Sequence, residues 1–198
     1  VVESPAGRYE ADKVVLCCPP SAGARLVGRV DAVMAGALAG IEAAPIAVAH
    51  LGGVGPSPLA AGFGALVPPG EPVRALGSLF PSNLYAGRTP AGGWLASVFL
   101  GGRRDPSAIE LDEAALATQA TQDLSRILGK ELSPSFRKVV VHREGIPQLE
   151  RGHATRVQAI EEAERQRPGL ALGGGWREGV SVDAALGSGR AAALRVAS

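Results

Sequence analysis

The sequence predicts a mixed α+β chain with α/β pieces at both ends. Three observations predict it. Short β-rich runs, separated by Gly, Pro, Ser and Asn, fill the middle of the chain. One long segment, Leu111 to Leu128, follows the helical period. Both ends alternate strand with helix. The composition agrees: 198 residues carry 27 Gly and 15 Pro, enough punctuation for many short elements. Hydrophobic residues make up 46% and aromatics only 4%, so the core rests on Ala, Val, Leu and Ile.

The elements follow in order. Ala11 to Cys18 is a run with no alternation, ended by Pro19-Pro20, and reads as a buried strand. Ser21 is a capping residue for a short helix through Val27, and Asp31 to Ile41 is a second helix candidate, ended by Pro45. Ile46 to Leu51 is a strand, and Gly52 to Gly62 a loop. Phe63 to Val67, Val73 to Phe80 and Trp94 to Leu100 are three short strands of a mostly antiparallel sheet. In the long helix Leu116, Ala120, Leu124, Ile127 and Leu128 share a face. Asp112 and Glu113 suit its positive first turn, and Gly129 stops it. Phe136 to His142 is a strand and His153 to Arg167 a helix stopped by Pro168-Gly169. Leu170 to Leu172 is a short strand running into Gly173-Gly174-Gly175, and Val182 to Val196 is the last helix.

Charge and cysteine content exclude several functions. Lys+Arg of 20 against Asp+Glu of 19 gives a net charge of +1, too even for a nucleic-acid-binding footprint. Cys17 and Cys18 are adjacent, which argues against a disulfide framework or a zinc site and fits a reducing compartment. Val1 to Pro5 has no signal-peptide pattern, and the most apolar stretch, Ala32 to Gly53, is interrupted by Glu42, Pro45 and His50. The chain opens on Val1 inside what reads as a strand or hairpin, and its one methionine is Met34, so a piece of a longer protein is expected.

Motifs of nucleotide hydrolysis, acyl transfer and metal hydrolysis are absent from the sequence. His50, His142 and His153 lie far apart, and the carboxylate pairs Asp112-Glu113 and Glu161-Glu162 read as solvated helix faces. Gly187-Ser-Gly-Arg-Ala-Ala192 fits a loose dinucleotide pattern but has a helix where the fingerprint needs a strand. The strongest local signal is Leu170 to Val182. There an apolar strand ends in three glycines, turns, and enters a helix through Gly179-Val180-Ser181. Glycines let a ligand approach the backbone, and the free N–H groups of a helix start suit an electron-rich ligand. A plain β-turn-α connection has the same local pattern.

Taken together, several segments resemble the C-terminal part of the protoporphyrinogen oxidases, flavoenzymes of haem biosynthesis in the FAD-linked amine-oxidase superfamily. They are Ala11-Asp-Lys-Val-Val-Leu-Cys-Cys-Pro19, Ala44-Pro-Ile-Ala-Val48, Gly62-Phe-Gly-Ala-Leu-Val-Pro68 and Leu76-Gly-Ser-Leu-Phe80. Gly87-Arg-Thr-Pro90, Val98-Phe-Leu-Gly-Gly102, Gly145-Ile-Pro-Gln148, Gly152-His153, Gly179-Val-Ser-Val182 and Ser188-Gly-Arg190 complete the set, which spans nearly the whole chain. The chain departs from the family at Leu149, where Tyr is usual, at Gly175, where Asn is usual, and at His142, where Trp is frequent. Asp183-Ala-Ala-Leu186 replaces Asn-Asp-Cys-Ile.

The resemblance implies a fold and a division of labour. Residues 1–30 and 143–198 would belong to the FAD-binding domain, as its closing strands and returning strand–helix. Residues 31–142 would belong to the mixed β-sheet substrate domain. Gly175, Val180, Ser181 and Val182 match positions lining the flavin. Gly64 and Leu66 match positions beside the tetrapyrrole. Tyr85 falls where the family has a Phe packing on a pyrrole ring, and Phe99 at another apolar wall. The implied reaction is oxidation of protoporphyrinogen IX to protoporphyrin IX with FAD as cofactor and molecular oxygen as acceptor. The cofactor would carry the chemistry, which accounts for the missing acid–base constellation. Coproporphyrinogen, an amine or a carotenoid are the other substrates the superfamily suggests, and a non-catalytic binding module or remnant is the alternative from another class. The expected partners are the N-terminal half of the same protein and no nucleic acid, with homodimer formation left open. The expected location is cytoplasmic, with peripheral contact at the inner membrane through the other half.

Overall fold

A computed structural model describes residues 1–197. The chain divides into two compact units, one of residues 1–43 and 147–198, the other of residues 44–146. The units divide after Ala43 and Ile146, which places the second helix with the chain ends.

The first unit holds a hairpin, β1 (Val2–Ser4) with β2 (Gly7–Tyr9), one of the two readings of the chain's opening, strand or hairpin. β3 (Val14–Leu16) pairs in parallel with β9 (Leu170–Leu172), so strands far apart in sequence meet side by side. β3 is shorter than the apolar run around it, because Val14 to Leu16 alone find partners on β9. Helix α1 spans Pro20–Val27. Pro19, not Ser21, takes its cap position, with Pro20 pre-setting the first turn. Helix α2 (Ala32–Ala39) is capped by Asp31, whose carboxylate accepts from the Met34 N–H at 2.7 Å. Helices α5 (His153–Arg165) and α6 (Val182–Ala197) complete the unit. Its core joins Val27, Met34, Leu38, Ile160, Leu172 and Trp176.

The second unit is built on a five-stranded sheet in the order β5 (Gly64–Leu66), β6 (Ala75–Leu79), β7 (Gly93–Gly101), β4 (Ala43–Val54), β8 (Phe136–Pro147). β4 continues through Gly52 and Gly53, expected as loop, because β7 supplies partners for both, Leu95 and Trp94. Between strands lie a single helical turn, α3 (Pro81–Leu84), a 3-10 turn at Pro106–Glu110, and helix α4 (Glu113–Leu128). Asp112 caps α4 by accepting from Ala115 N–H at 2.7 Å, and the helix ends at Gly129 in the left-handed conformation.

Period-two alternation gives this sheet a dry face. Ala47, Ala49 and Leu51 of β4 and Trp94, Ala96, Val98 and Leu100 of β7 pack with Leu116, Ala120 and Leu124 of α4. Leu116 and Leu124 are fully buried, each worth about 1.5–3 kcal/mol relative to exposure. A buried carboxylate aligns the layers. Asp123 of α4 accepts from the Arg74 and Ala75 N–H groups at 3.0 and 2.8 Å and from the Gln119 amide at 2.9 Å, satisfying the start of β6.

Candidate functional site

The candidate cofactor residues lie in the first unit, where β9 gives way to α6. Gly173 packs against α6: a Cβ there would meet Gly189 Cα and Ser188 O, both at 3.0 Å. The Gly174 N–H donates to Ser188 Oγ at 3.1 Å, tying the turn to the helix. The loop then folds on itself. A Cβ on Gly175 would lie 3.3 Å from Gly179 O and 3.6 Å from Val180 Cα, so Gly175, Val180, Ser181 and Val182 form one patch. Ser181 caps α6, its hydroxyl accepting from Ala184 N–H at 3.1 Å and its carbonyl from Ala185 N–H at 3.0 Å. The Val182 and Asp183 N–H groups find no acceptor among the described residues. Val180, Val182 and Leu186 are 53%, 79% and 69% exposed, an apolar surface around a helix start with free donors.

A buried ion network fixes this turn from behind. Arg177, its side chain 3% exposed, donates to Glu164 Oε1 and Oε2 at 3.1 and 2.9 Å, to Glu161 Oε1 at 3.2 Å, and to the Leu172 carbonyl at 3.0 Å. Arg195 of α6 donates to the same carbonyl at 2.9 Å. Glu164 Oε1 accepts from Leu172 N–H at 2.6 Å, so one carboxylate holds both the strand end and the arginine after the turn. His153 Nε2 lies 3.4 Å from the Arg177 carbonyl, while its Nδ1 is buried without a partner. Glu161 was expected on a solvated face and instead touches Arg177. Its neighbour Glu162 does face solvent, paired with Arg165. Cys17 and Cys18 are free thiols, and burial pushes the Cys18 thiol up.

The candidate substrate residues lie in the second unit. On the sheet face away from α4 the registers set Leu66, Gly77, Phe99 and Val48 in one cross-strand row and Gly64, Leu79, Ser97 and His50 in the next. Three of the four expected residues, Gly64, Leu66 and Phe99, thus share a face. Gly64 and Gly77, at φ of 159° and 157°, bring β5 and β6 backbones so close that a Cβ on either would overlap the partner carbonyl. They leave a trough between Leu66, 93% exposed, and the half-buried Phe99. Tyr85 lies off these rows, just after α3, with the Arg88 guanidinium 5.4 Å from its ring centre. Leu79 belongs to the face but was missed, since only the register reveals it. His50 Nδ1 lies 2.9 Å from Ser97 Oγ, the polar pair of the row.

The first unit joins a parallel strand pair to a glycine turn and a helix start, the second is built on antiparallel strand pairs, and the fold is that of an FAD-type oxidoreductase. The chain belongs to the family of flavin-containing amine oxidoreductases, whose family model matches residues 1–197, and its cofactor is FAD. It is 32% identical over 195 residues to the protoporphyrinogen oxidase of Homo sapiens, covering 94% of this chain and 40% of that protein. It is 34% identical over 131 residues to the mitochondrial protoporphyrinogen oxidase of Nicotiana tabacum, covering 65% of this chain and 26% of that one. The chain thus spans well under half the length of these relatives.

Solved structures agree on the fold. A crystal structure from an Exiguobacterium species, provisionally assigned as a protoporphyrinogen oxidase, superposes with a TM-score of 0.81 at 21% identity, covering 99% of this chain and 44% of that one. Reduced UDP-galactopyranose mutase superposes at 0.69 with 12% identity, covering 87% and 37%. Among the described residues no helix is long and apolar enough to cross a membrane, and relatives whose names carry a location are mitochondrial or chloroplastic.

The residues of the α6 turn fit a flavin. The Gly173–Gly175 backbone approaches α6 without intervening side chains, two N–H donors are available at the helix start, and the surrounding side chains are apolar and exposed.

Proposed function

We propose that the chain is the C-terminal part of an FAD-dependent protoporphyrinogen oxidase that converts protoporphyrinogen IX to protoporphyrin IX with molecular oxygen as acceptor. The observation that carries this reading is the open sheet face of the second unit. Leu66, Leu79 and Phe99 stand around two glycines, Gly64 and Gly77, and give a broad apolar surface free of carboxylates. A flat, largely apolar macrocycle is the substrate class such a surface suits. The relatives named above support the same choice over an amine, and the row carries no acidic residue to hold an ammonium group.

Bound FAD supplies the acceptor for hydride equivalents from the macrocycle. The chain's own residues orient and polarise. Val180, Ser181 and Val182 set the start of α6, whose N–H groups favour negative charge on a ligand edge. Gly175 keeps that edge open to the backbone. Leu66 and Phe99 exclude water from one side of the substrate, and Tyr85 adds an aromatic wall beside Arg88. In this reading the first unit belongs to the FAD-binding domain and the second to the substrate domain. The N-terminal half of the same protein completes both, and the location is cytoplasmic with peripheral contact at the inner membrane.

The test is the initial rate of protoporphyrinogen oxidation by the flavin-loaded full-length protein, compared with coproporphyrinogen and with an amine. A rate on protoporphyrinogen no higher than autoxidation, beside turnover of another substrate, removes the proposal.

A further inference from the structure

A cavity of about 450 Å³ opens on the second unit at the far end of β4 and β7, beside the His50–Ser97 pair. Its floor is Gly52 and Gly53. A Cβ on Gly52 would lie 3.5 Å from Leu95 Cδ1 and 3.6 Å from Phe136 Cδ1, so these two side chains lean over a bare backbone. On the opposite face, towards α4, a Cβ on Gly53 would meet the Trp94 ring, at 2.8 Å from Nε1. Pro90 and Val54 extend the apolar wall.

The polar groups of this cavity are one-sided. Arg88 and Lys138 line it, and no carboxylate does. Lys138 already pairs with Glu113 at 3.1 Å outside the cavity. Arg88 has only the face of Tyr85, with no anion or hydrogen-bond acceptor among the described residues. An apolar cavity that offers an unneutralised guanidinium and a second cation is complementary to an apolar body carrying one carboxylate.

We infer that this cavity binds an apolar carboxylate, with Arg88 as the principal anion contact, Lys138 as the second, and Leu95 and Phe136 enclosing the apolar part. The acid side arm of a tetrapyrrole and a fatty acid share this chemistry. The inference stands apart from the flavin chemistry, since it uses none of the residues of the α6 turn.

The full chain is titrated with dodecanoate against dodecan-1-ol, and with protoporphyrin IX against its dimethyl ester, following tryptophan fluorescence and heat of binding. An acid bound about tenfold or more tightly than its neutral counterpart is expected. Preference in the dodecanoate pair alone identifies a fatty-acid site, and in the porphyrin pair alone a tetrapyrrole side-arm site; either supports the inference. Arg88→Gln should remove most of the preference while leaving the fold intact, because Arg88 is exposed and makes no hydrogen bond. Trp94→Phe should abolish the fluorescence response and keep the heat, separating this cavity from Trp176 in the other unit. Equal affinity for acid and neutral partner in both pairs, or a preference that survives Arg88→Gln and Lys138→Gln together, overturns it.

Discussion

Replacing Glu164 by alanine should destabilise the chain by about 3–5 kcal/mol, the usual result of removing one partner from a buried ion pair. The structure places this case within that range. Glu164 is 7% exposed and Arg177 5%, and the carboxylate accepts both arginine N–H groups and the Leu172 N–H. Its removal leaves a buried guanidinium with the half-exposed Glu161 carboxylate and the Leu172 carbonyl, and strips a buried backbone donor of its acceptor. The stranded Leu172 N–H alone costs about 1–3 kcal/mol. Urea unfolding followed by far-UV circular dichroism reads the total, and for a chain of this size the melting temperature should fall by roughly 6–20 °C. Two further variants locate the cause. Glu164→Gln keeps an acceptor for Leu172 N–H and should recover part of the loss. Glu164→Leu with Arg177→Met removes both charges and should lie closer to wild type than Glu164→Ala. A Glu164→Ala variant within about 1 kcal/mol of wild type would refute the reasoning, because the pair would then be neither buried nor structurally coupled.

Three other outcomes are expected. Ser181→Ala removes the α6 cap and should cost about 1 kcal/mol, with FAD affinity falling in the full-length protein; fluorescence of the bound flavin reads the second effect, and unchanged affinity separates the cap from the cofactor. Gly77→Val should destabilise by at least about 1–3 kcal/mol from backbone strain, since a side chain at φ 157° would also overlap the Ala65 carbonyl; a wild-type urea midpoint would contradict the close approach of β5 and β6. The Arg74 guanidinium holds the Asp105 carboxyl below the usual carboxylate range, so its folded pKa lies under its unfolded one. That contribution is complete above the unfolded range, about pH 4, and fades as pH falls toward the folded value. The stability gap between wild type and Asp105→Asn should shrink as pH is lowered through this window, and a gap that stays constant denies the linkage.

Much of the fold is local and was legible in the sequence. The apolar period from Leu116 to Leu128, the acidic pair Asp112-Glu113 at its start and the Gly129 stop define α4 to within two residues. The strand–glycine–helix segment from Leu170 is observed where the residues place it. What was not legible depends on partners remote in sequence. Gly52 and Gly53 look like loop until β7 pairs with them, and β8 continues to Pro147, past the expected His142. The one-turn α3 and the 3-10 turn are too short to leave a period.

The candidate sites divide in the same way. Gly175 to Val182 are contiguous, so their patch follows from the chain itself. The common face of Gly64, Leu66 and Phe99 follows from two strand registers that no local pattern states, and the same registers add Leu79. Glu164 and Arg177 are separated by a turn and a strand, and nothing in either neighbourhood marks them as a pair. α2 falls in the unit of the chain ends because it packs with α1 and α5, contacts that no short motif states.

The central claim is that this chain completes a flavin site. Its most direct test is the visible absorption spectrum of the purified full-length protein, before and after added FAD. The account predicts a bound flavin band that weakens in a variant carrying Gly175→Val. A well-folded, colourless protein that fails to take up added FAD would contradict it and leave the non-catalytic binding module in its place.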